Sequence, residues 1–330
     1  MVLAYRYACD VSDQQPTRPQ SSRYTPGELQ IHHSAADVAQ VSRALRTTGR
    51  PIVVVPTGPE LHPGNIELIR AAAALPRALI MVAMPDQSLE GDREAEITAI
   101  LRREKAEILL LADPPALRTR VHSSLTTVDS AELCRLMWLM NATSCTDVVL
   151  GERDYELLIA TQQMIADFVI PVRLHAIPVI RDHDGLAFSR LTQSLSQDVR
   201  EEAVGLSAAL TAAAFVADQG REHVLRVFAD TIAACPHLKL HSVQLSRPTL
   251  DPLRDGDVEA RLIAEVELST GGRLRDSVGV VLVDRDREIA AAALEAAGLD
   301  PHLSAEEWAQ IKELQSQVQQ VKARREASQD

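Results

Sequence analysis

His62 and Asn65 stand three residues apart around a Pro63-Gly64 step, after the apolar run 51–56 and before a helical pattern. A loop that leaves the carboxyl end of a strand and enters a helix offers free backbone N–H groups and a positive dipole end, which suits a phosphate. The three-residue spacing puts both side chains on one side of the first helical turn. Pro63 fits that turn because its missing N–H is not needed there, and Gly64 leaves room for a flat base to approach the backbone. Taken alone, the stretch reads first as a turn before a helix with an incidental histidine. A second polar group, Gly151, Glu152, Arg153 and Asp154, follows the run 147–150. Its place behind a strand and a glycine suits a ligand contact at the strand end; as a bare run of charges it also reads as solvated surface.

Other chemistry-bearing residues offer less. His183 lies between Asp182 and Asp184 without a spaced partner, so it reads as a turn and no metal site is assigned. His32 and His33 read as surface residues, and Gly271-Gly272 as a hairpin turn between two strands. The cysteines Cys9, Cys134, Cys145 and Cys235 form no CxxC pair and read as idle thiols of a reducing cytosol. No nucleophile elbow, P-loop or zinc spacing is present.

The elements that must position these residues follow from hydrophobic periodicity. Val38, Val41 and Leu45 recur at helical spacing, and Thr47-Thr48-Gly49 ends that helix. Residues 51–56, Pro-Ile-Val-Val-Val-Pro, form a short apolar run between turn signals, the pattern of a strand buried on both faces. Helices are expected over 63–74, 92–105, 131–140 and 154–167, and strands over 78–83, 108–111, 147–150, 172–176 and 179–180. Such alternation predicts an α/β fold with a Rossmann-like doubly wound parallel sheet, whose ligands bind beyond the carboxyl ends of the strands. The character changes near Gly185, where two alanine-rich helices precede strand-like runs at 241–245, 260–268 and 278–283, a smaller α+β domain. The expected divisions are a flexible polar leader at 1–26, the Rossmann-like domain at 27–184, the smaller domain at 185–290 and a helical extension at 291–330. In that extension Ser304 and Glu307 suit a capping box, and Ile311, Leu314, Val318 and Val321 follow a short heptad spacing that serves self-packing or a partner helix.

Composition narrows the function classes. The chain has 330 residues, 46% of them hydrophobic but only 3% aromatic, so its core is built from Ala, Val, Leu and Ile. A net charge of -12 disfavours nucleic acid as the main partner. No apolar run approaches the roughly 20 residues that span a bilayer, and no apolar signal segment opens the chain, so a cytoplasmic protein is expected.

Three ordered motifs carry a family resemblance. The stretch from Pro56 to Asn65 resembles the HxGH-type signature of pantothenate synthetases, relatives of the class I aminoacyl-tRNA synthetases. Val148-Val149-Leu150-Gly151-Glu152-Arg153-Asp154-Tyr155 resembles that family's strand followed by Gly-Glu-Lys-Asp-Tyr. Asp184-Gly185-Leu186-Ala187-Phe188-Ser189-Arg190 resembles its Asp-Gly-Leu-Ala-Met-Ser-Ser-Arg loop, and Leu206-Ser207-Ala208-Ala209-Leu210 lies in a similar helix. The resemblance runs from about Tyr24 to Val283. It implies an ATP-dependent condensation of pantoate and β-alanine through pantoyl adenylate, with magnesium accompanying the triphosphate. It implies nucleotide contacts from Thr57, Gly58, His62, Gly64, Asn65, Gly151, Asp154 and Ser189, and catalytic roles for His62, Arg153, Ser189 and Arg190. It also implies a homodimer, or pairing with an active synthetase.

Measured against that pattern, several positions differ. Asn65 stands for the second histidine, and Pro59, which lacks an N–H, follows Gly58 where the family has Met-Gly after the threonine. Arg153 stands for the phosphate-binding lysine, and a planar fork does not reproduce a point ammonium. Counted without a gap, Arg190 occupies a serine position and Leu191 the arginine position. At the two glutamines that hold the acid stand Glu90, with Gln87 the nearest glutamine, and Leu157. These replacements point to a pantothenate synthetase-like protein with weak or lost activity and a binding or regulatory role; the alternative is an active ligase with the same or a changed acid.

Overall fold

In the computed structural model, residues 24–89, 93–254 and 256–282 are described, with isolated positions 295, 296 and 310. Most of the expected leader, Cys9, Glu90 and the C-terminal heptad positions lie outside the described residues.

The first half alternates strand and helix. In order it comprises β1 (Gln30–His32), α1 (Ala35–Arg46), β2 (Ile52–Pro56), α2 (Pro63–Ala73), β3 (Leu79–Met84), α3 (Arg93–Arg103) and β4 (Ile108–Leu111). Then come α4 (Ser130–Ala142), β5 (Asp147–Gly151), α5 (Tyr155–Asp167) and β6 (Arg173–Ile177). The six strands form one parallel sheet in the order β1-β4-β3-β2-β5-β6. Every residue of β2, β3 and β4 is buried, as continuous apolar runs require when helices cover both faces. Because successive strand residues point to opposite faces, Val54, Met81 and Leu110 join one apolar cluster while Val53, Val55, Val82 and Leu109 join another.

The second half holds α6 (Arg190–Ser194), α7 (Gln197–Phe215), α8 (Arg221–Ala233), β7 (Lys239–Ser246), β8 (Glu259–Glu267) and β9 (Arg273–Val281). The last three form an antiparallel sheet, and Leu206 and Leu210 of α7 and Phe228 of α8 share an apolar cluster with Leu262 and Val266. The Gly271-Gly272 turn joins β8 to β9, with Gly271 at φ +82°, a conformation glycine adopts without strain.

Three elements depart from expectation. β1 is a strand of only three residues without an apolar run, placed by backbone pairing to β4 rather than by hydrophobic patterning. Residues 179–180 form no strand; the chain there turns into a loop whose Arg181 bridges to Ala187. β9 starts at Arg273 rather than 278 because Asp276 is buried as an ion-pair partner of Arg181, at 2.5 Å, and this charge interrupts the apolar signal. Of the amino-terminal histidines, His33 is exposed but His32 is half-buried within β1.

Arg261 of β8 fastens the two halves together. Its guanidinium lies 4.0 Å from the centre of the Tyr155 ring, pairs with Glu152 at 2.9 Å and donates to the Ser277 hydroxyl. Tyr155 donates to the Pro248 carbonyl at 2.9 Å, and Arg275 pairs with Glu156 at 2.7 Å. The Glu152–Asp154 turn is therefore held on both sides. Removing one partner of a largely buried ion pair is costly, and the partial exposure of Glu152 reduces that cost. Arg261→Ala is expected to lower unfolding stability by about 2 kcal/mol in urea titration; a change within about 0.5 kcal/mol would show that the contact does not hold the halves together.

Candidate functional site

The strand order reverses at β2. β3 lies on one side of it and β5 on the other. Ile69 and Ala72 of α2, which follows β2, pack in the cluster with Val53 and Val55. Leu158, Ile159 and Met164 of α5, which follows β5, pack in the opposite cluster with Val54 and Val148. The two helices thus leave to opposite faces, and a crevice opens between the carboxyl ends of β2 and β5, the usual ligand position in such sheets. A cleft of about 670 Å³ occupies it.

Eleven of the residues expected in the site line this cleft: Thr57, Gly58, His62, Gly64, Asn65, Gly151, Arg153, Asp154, Leu157, Ser189 and Arg190. The segment after β2 supplies the first five. His62 is the N-cap of α2, with extended backbone, and Pro63 opens the helix. The imidazole Nδ1 of His62 is buried without a hydrogen-bond partner. Gly64 must be small: a Cβ there would come within 3.0 Å of the His62 ring. Asn65 is buried, and its carboxamide oxygen accepts from the His62 backbone N–H at 3.2 Å, so that side chain caps its own helix. Thr57 is buried and donates its N–H to the Ala83 carbonyl at 2.9 Å.

The segment after β5 brings Arg153 and Asp154, paired with each other at 3.0 Å. The loop before α6 brings Ser189 and Arg190. Ser189 is buried, and its hydroxyl accepts from the Thr192 N–H at 3.0 Å. Arg190 reaches the cleft, with its guanidinium carbon 4.0 Å from where a Cβ of Gly58 would lie. An arginine therefore arrives at the cleft although an ungapped count assigned Arg190 to a serine position.

Gln87, expected at the acid end, is exposed in a short 3₁₀ turn (Asp86–Leu89) and is not among the lining residues. Conversely, Glu132 and Arg135 of α4 and Asp113 line the cleft without having been singled out. The signal for the first two was present: they are the only charged residues in Ser-Ala-Glu-Leu-Cys-Arg-Leu-Met-Trp-Leu-Met-Asn-Ala, an otherwise neutral helix. Of the thiols, Cys134 and Cys145 are buried and Cys235 is half-buried; burial pushes the Cys145 thiol up to about 12.

A doubly wound parallel sheet with a polar crevice at its reversal point places the molecule in the nucleotidyltransferase-like class of α/β proteins. Sequence comparison is more specific. A profile of the pantoate–beta-alanine ligase family matches residues 133–285. The pantothenate synthetase of Corynebacterium jeikeium is 34% identical over 285 residues, covering 78% of this chain and 92% of that protein. The chain belongs to the pantothenate synthetase family. Among solved structures, a pantothenate synthetase from Thermus thermophilus aligns with a TM-score of 0.65 at 23% identity, over 76% of this chain and 98% of that one. A pantoate–beta-alanine ligase from Francisella tularensis, complexed with beta-gamma ATP and beta-alanine, aligns with a TM-score of 0.57 at 20% identity, over 76% of this chain and 97% of that one. These two likenesses support the fold.

Burial lowers the His62 pKa below its ordinary value of 6.5, and the positive charges of Arg153 and Arg190 lower it further against the opposing pull of Asp154. A histidine whose folded pKa is depressed is neutral at pH 7, and folding stability falls as pH drops through the ordinary histidine range. In an NMR titration the His62 imidazole should titrate below 6.5, and Arg153→Met should move its midpoint upward. An unmoved midpoint would mean that Arg153 does not act on this ring.

Proposed function

We propose that the chain binds ATP across the crevice between β2 and β5, takes a small carboxylic acid beside it, and carries out the family's adenylate-forming step only weakly, in a mainly binding or regulatory role. Asn65 carries this reading. Its carboxamide oxygen accepts from the His62 N–H, which fixes the side chain as a cap of α2, and a neutral amide stands where a second imidazole would bring a proton and charge to a phosphate. Losing one such electrostatic donor costs on the order of 10²–10³ in rate. Leu157 works in the same direction, since it gives an acid no hydrogen bond.

Support for nucleotide binding comes from the groups that remain. At the start of α2, Pro63 has no N–H and Asn65 and Ile66 donate theirs to the His62 carbonyl, so the Gly64 N–H is the one the first turn can offer beside the unpartnered His62 Nδ1. Arg153 and Arg190 supply positive charge from two further loops, and Gly64 leaves the backbone approachable. In this reading His62 donates to a phosphate oxygen, Arg153 and Arg190 balance the charge of the phosphates, and Asp154 faces the ribose. A magnesium ion, when bound, neutralises charge on the triphosphate. Among the described residues no group of three or more His, Cys, Asp or Glu side chains forms a metal cage. An ion held mainly by phosphates and water, with Asp154 or Asp113 as the protein carboxylate, fits this donor set.

ATP–pyrophosphate exchange with pantoate tests the reading. Exchange is expected well below the roughly 1–10³ s⁻¹ of ordinary enzymes. The double change Asn65→His with Arg153→Lys should raise it at least about tenfold, and Arg153→Ala should remove what remains. Exchange at ordinary enzyme rates in the unmodified protein would overturn the weakened step, and failure to bind ATP at all would overturn the nucleotide assignment.

A further inference from the structure

Residues 180–192 carry Ser189 and Arg190 to the cleft, and contacts outside the cleft set their shape. Phe188 donates its N–H to the Ile180 carbonyl at 3.0 Å and Asp182 donates to the Leu186 carbonyl at 2.8 Å, which folds 180–188 into a hairpin. Gly185 lies at its tip with φ +87°, and the Gly185 carbonyl accepts from the Ser207 hydroxyl of α7 at 2.6 Å. Beyond the hairpin comes α6, five residues long, of which only Thr192 is buried. A helix this short is not stable by itself, so its position follows from what its ends are tied to. Arg190 is exposed, and among the described residues no hydrogen bond or ion pair holds its side chain. The backbone that carries Arg190 therefore decides where its guanidinium goes.

Arg200, near the start of α7, spans both ends of this segment. Its Nε donates to Asp184 at 2.6 Å and its Nη2 to Asp182 at 2.6 Å, both at the hairpin tip. Its Nη1 donates to the Thr192 carbonyl at 3.0 Å. All three guanidinium nitrogens are thus engaged, on a side chain only 19% exposed. The two carboxylates would repel each other without a cation between them. Each also accepts a backbone N–H within the hairpin, from His183 to Asp182 at 2.7 Å and from Leu186 to Asp184 at 3.1 Å. Holding the carboxylates thus holds the tip. The base of the clamp is firm, since Ala203, Leu206 and Leu210 of α7 are buried in one apolar cluster with Leu262 of β8. A lysine here would bring charge but not a planar fork that meets three acceptors.

We propose that Arg200 is a positioning residue for Arg190: by tying Asp182, Asp184 and the Thr192 carbonyl to α7, it fixes both ends of the segment that presents the Arg190 guanidinium to the cleft. Arg200 is not among the residues lining the cleft, so it acts through the loop and not by contact with a ligand. The use of that placement for phosphate binding rests on the nucleotide reading proposed above; the placement itself does not.

His62 reports where Arg190 stands. Burial lowers the imidazole pKa, and the positive charges of Arg153 and Arg190 lower it further against the opposing pull of Asp154. The midpoint of its NMR titration is measured on the full chain without nucleotide, in the unmodified protein, Arg190→Met, Arg200→Met and the double variant. Arg190→Met is expected to move the midpoint upward, and Arg200→Met to move it the same way by at least about half as much. The double variant should move it no further than Arg190→Met, because no charge is then left to displace. An effect of the Arg200 charge by itself would instead add in full to that of Arg190→Met. Arg200→Lys should give a smaller upward shift, and it decides the matter if Arg200→Met does not fold. An unmoved midpoint in Arg190→Met or in every folded Arg200 variant overturns the proposal, as does full additivity. Affinity for a non-hydrolysable ATP analogue is expected to fall about tenfold in Arg190→Met and Arg200→Met alike. The expected midpoint pattern in a protein that binds no nucleotide would count against the nucleotide reading and leave the placement standing.

Discussion

β2 and β5 lie side by side as parallel neighbours, yet the helices that follow them pack on opposite faces of the sheet. The chain diverges from the two strand ends, so a crevice between them is a geometric consequence of the winding. The other features of the site depend on it. α2 starts at one lip, which brings His62 and Gly64 to the cleft, and the Glu152–Asp154 turn forms the other lip. The carboxyl-terminal half contributes by bracing that second lip through Arg261 and Arg275, which hold the glutamates on either side of Arg153 and Asp154. Sheet topology thus decides where a ligand can lie, and the smaller sheet decides how firmly one wall is held.

Within this frame, several polar side chains at the cleft already have partners. Asn65 caps α2, the Ser189 hydroxyl caps α6, and Arg153 pairs with Asp154. His62 is different: its Nδ1 is buried without a partner, and its basicity is reduced by burial and by two arginines. An incoming polyphosphate would offset those arginine charges and restore the affinity of the ring for a proton. Binding of an anion and protonation of His62 are therefore linked, each favouring the other.

Much of this architecture was legible in the sequence because burial on two faces leaves a plain mark. Residues 51–56 and 148–150 are unbroken apolar runs, and the motifs at their ends lie in one cleft. What escaped did so for identifiable reasons. β1 is held by backbone pairing to β4, which leaves no hydrophobic pattern in Gln-Ile-His. β9 carries a buried charge, Asp276, whose partner Arg181 is remote in sequence. Gln87 is a glutamine in roughly the right place, but the turn that carries it leaves its side chain in solvent. Glu132 and Arg135 were overlooked because helix periodicity identifies apolar faces well and says little about a charged pair pointing inward among them.

The link between nucleotide and His62 is tested most directly by calorimetric titration of the full chain with a non-hydrolysable ATP analogue. The titration is run near the ordinary histidine pKa of about 6.5, in two buffers of different ionisation enthalpy. Saturable binding with net proton uptake is expected, and that uptake should be lost in His62→Gln. Binding without proton uptake would contradict the placement of phosphate against His62, and absence of binding would contradict the assignment of the crevice to a nucleotide.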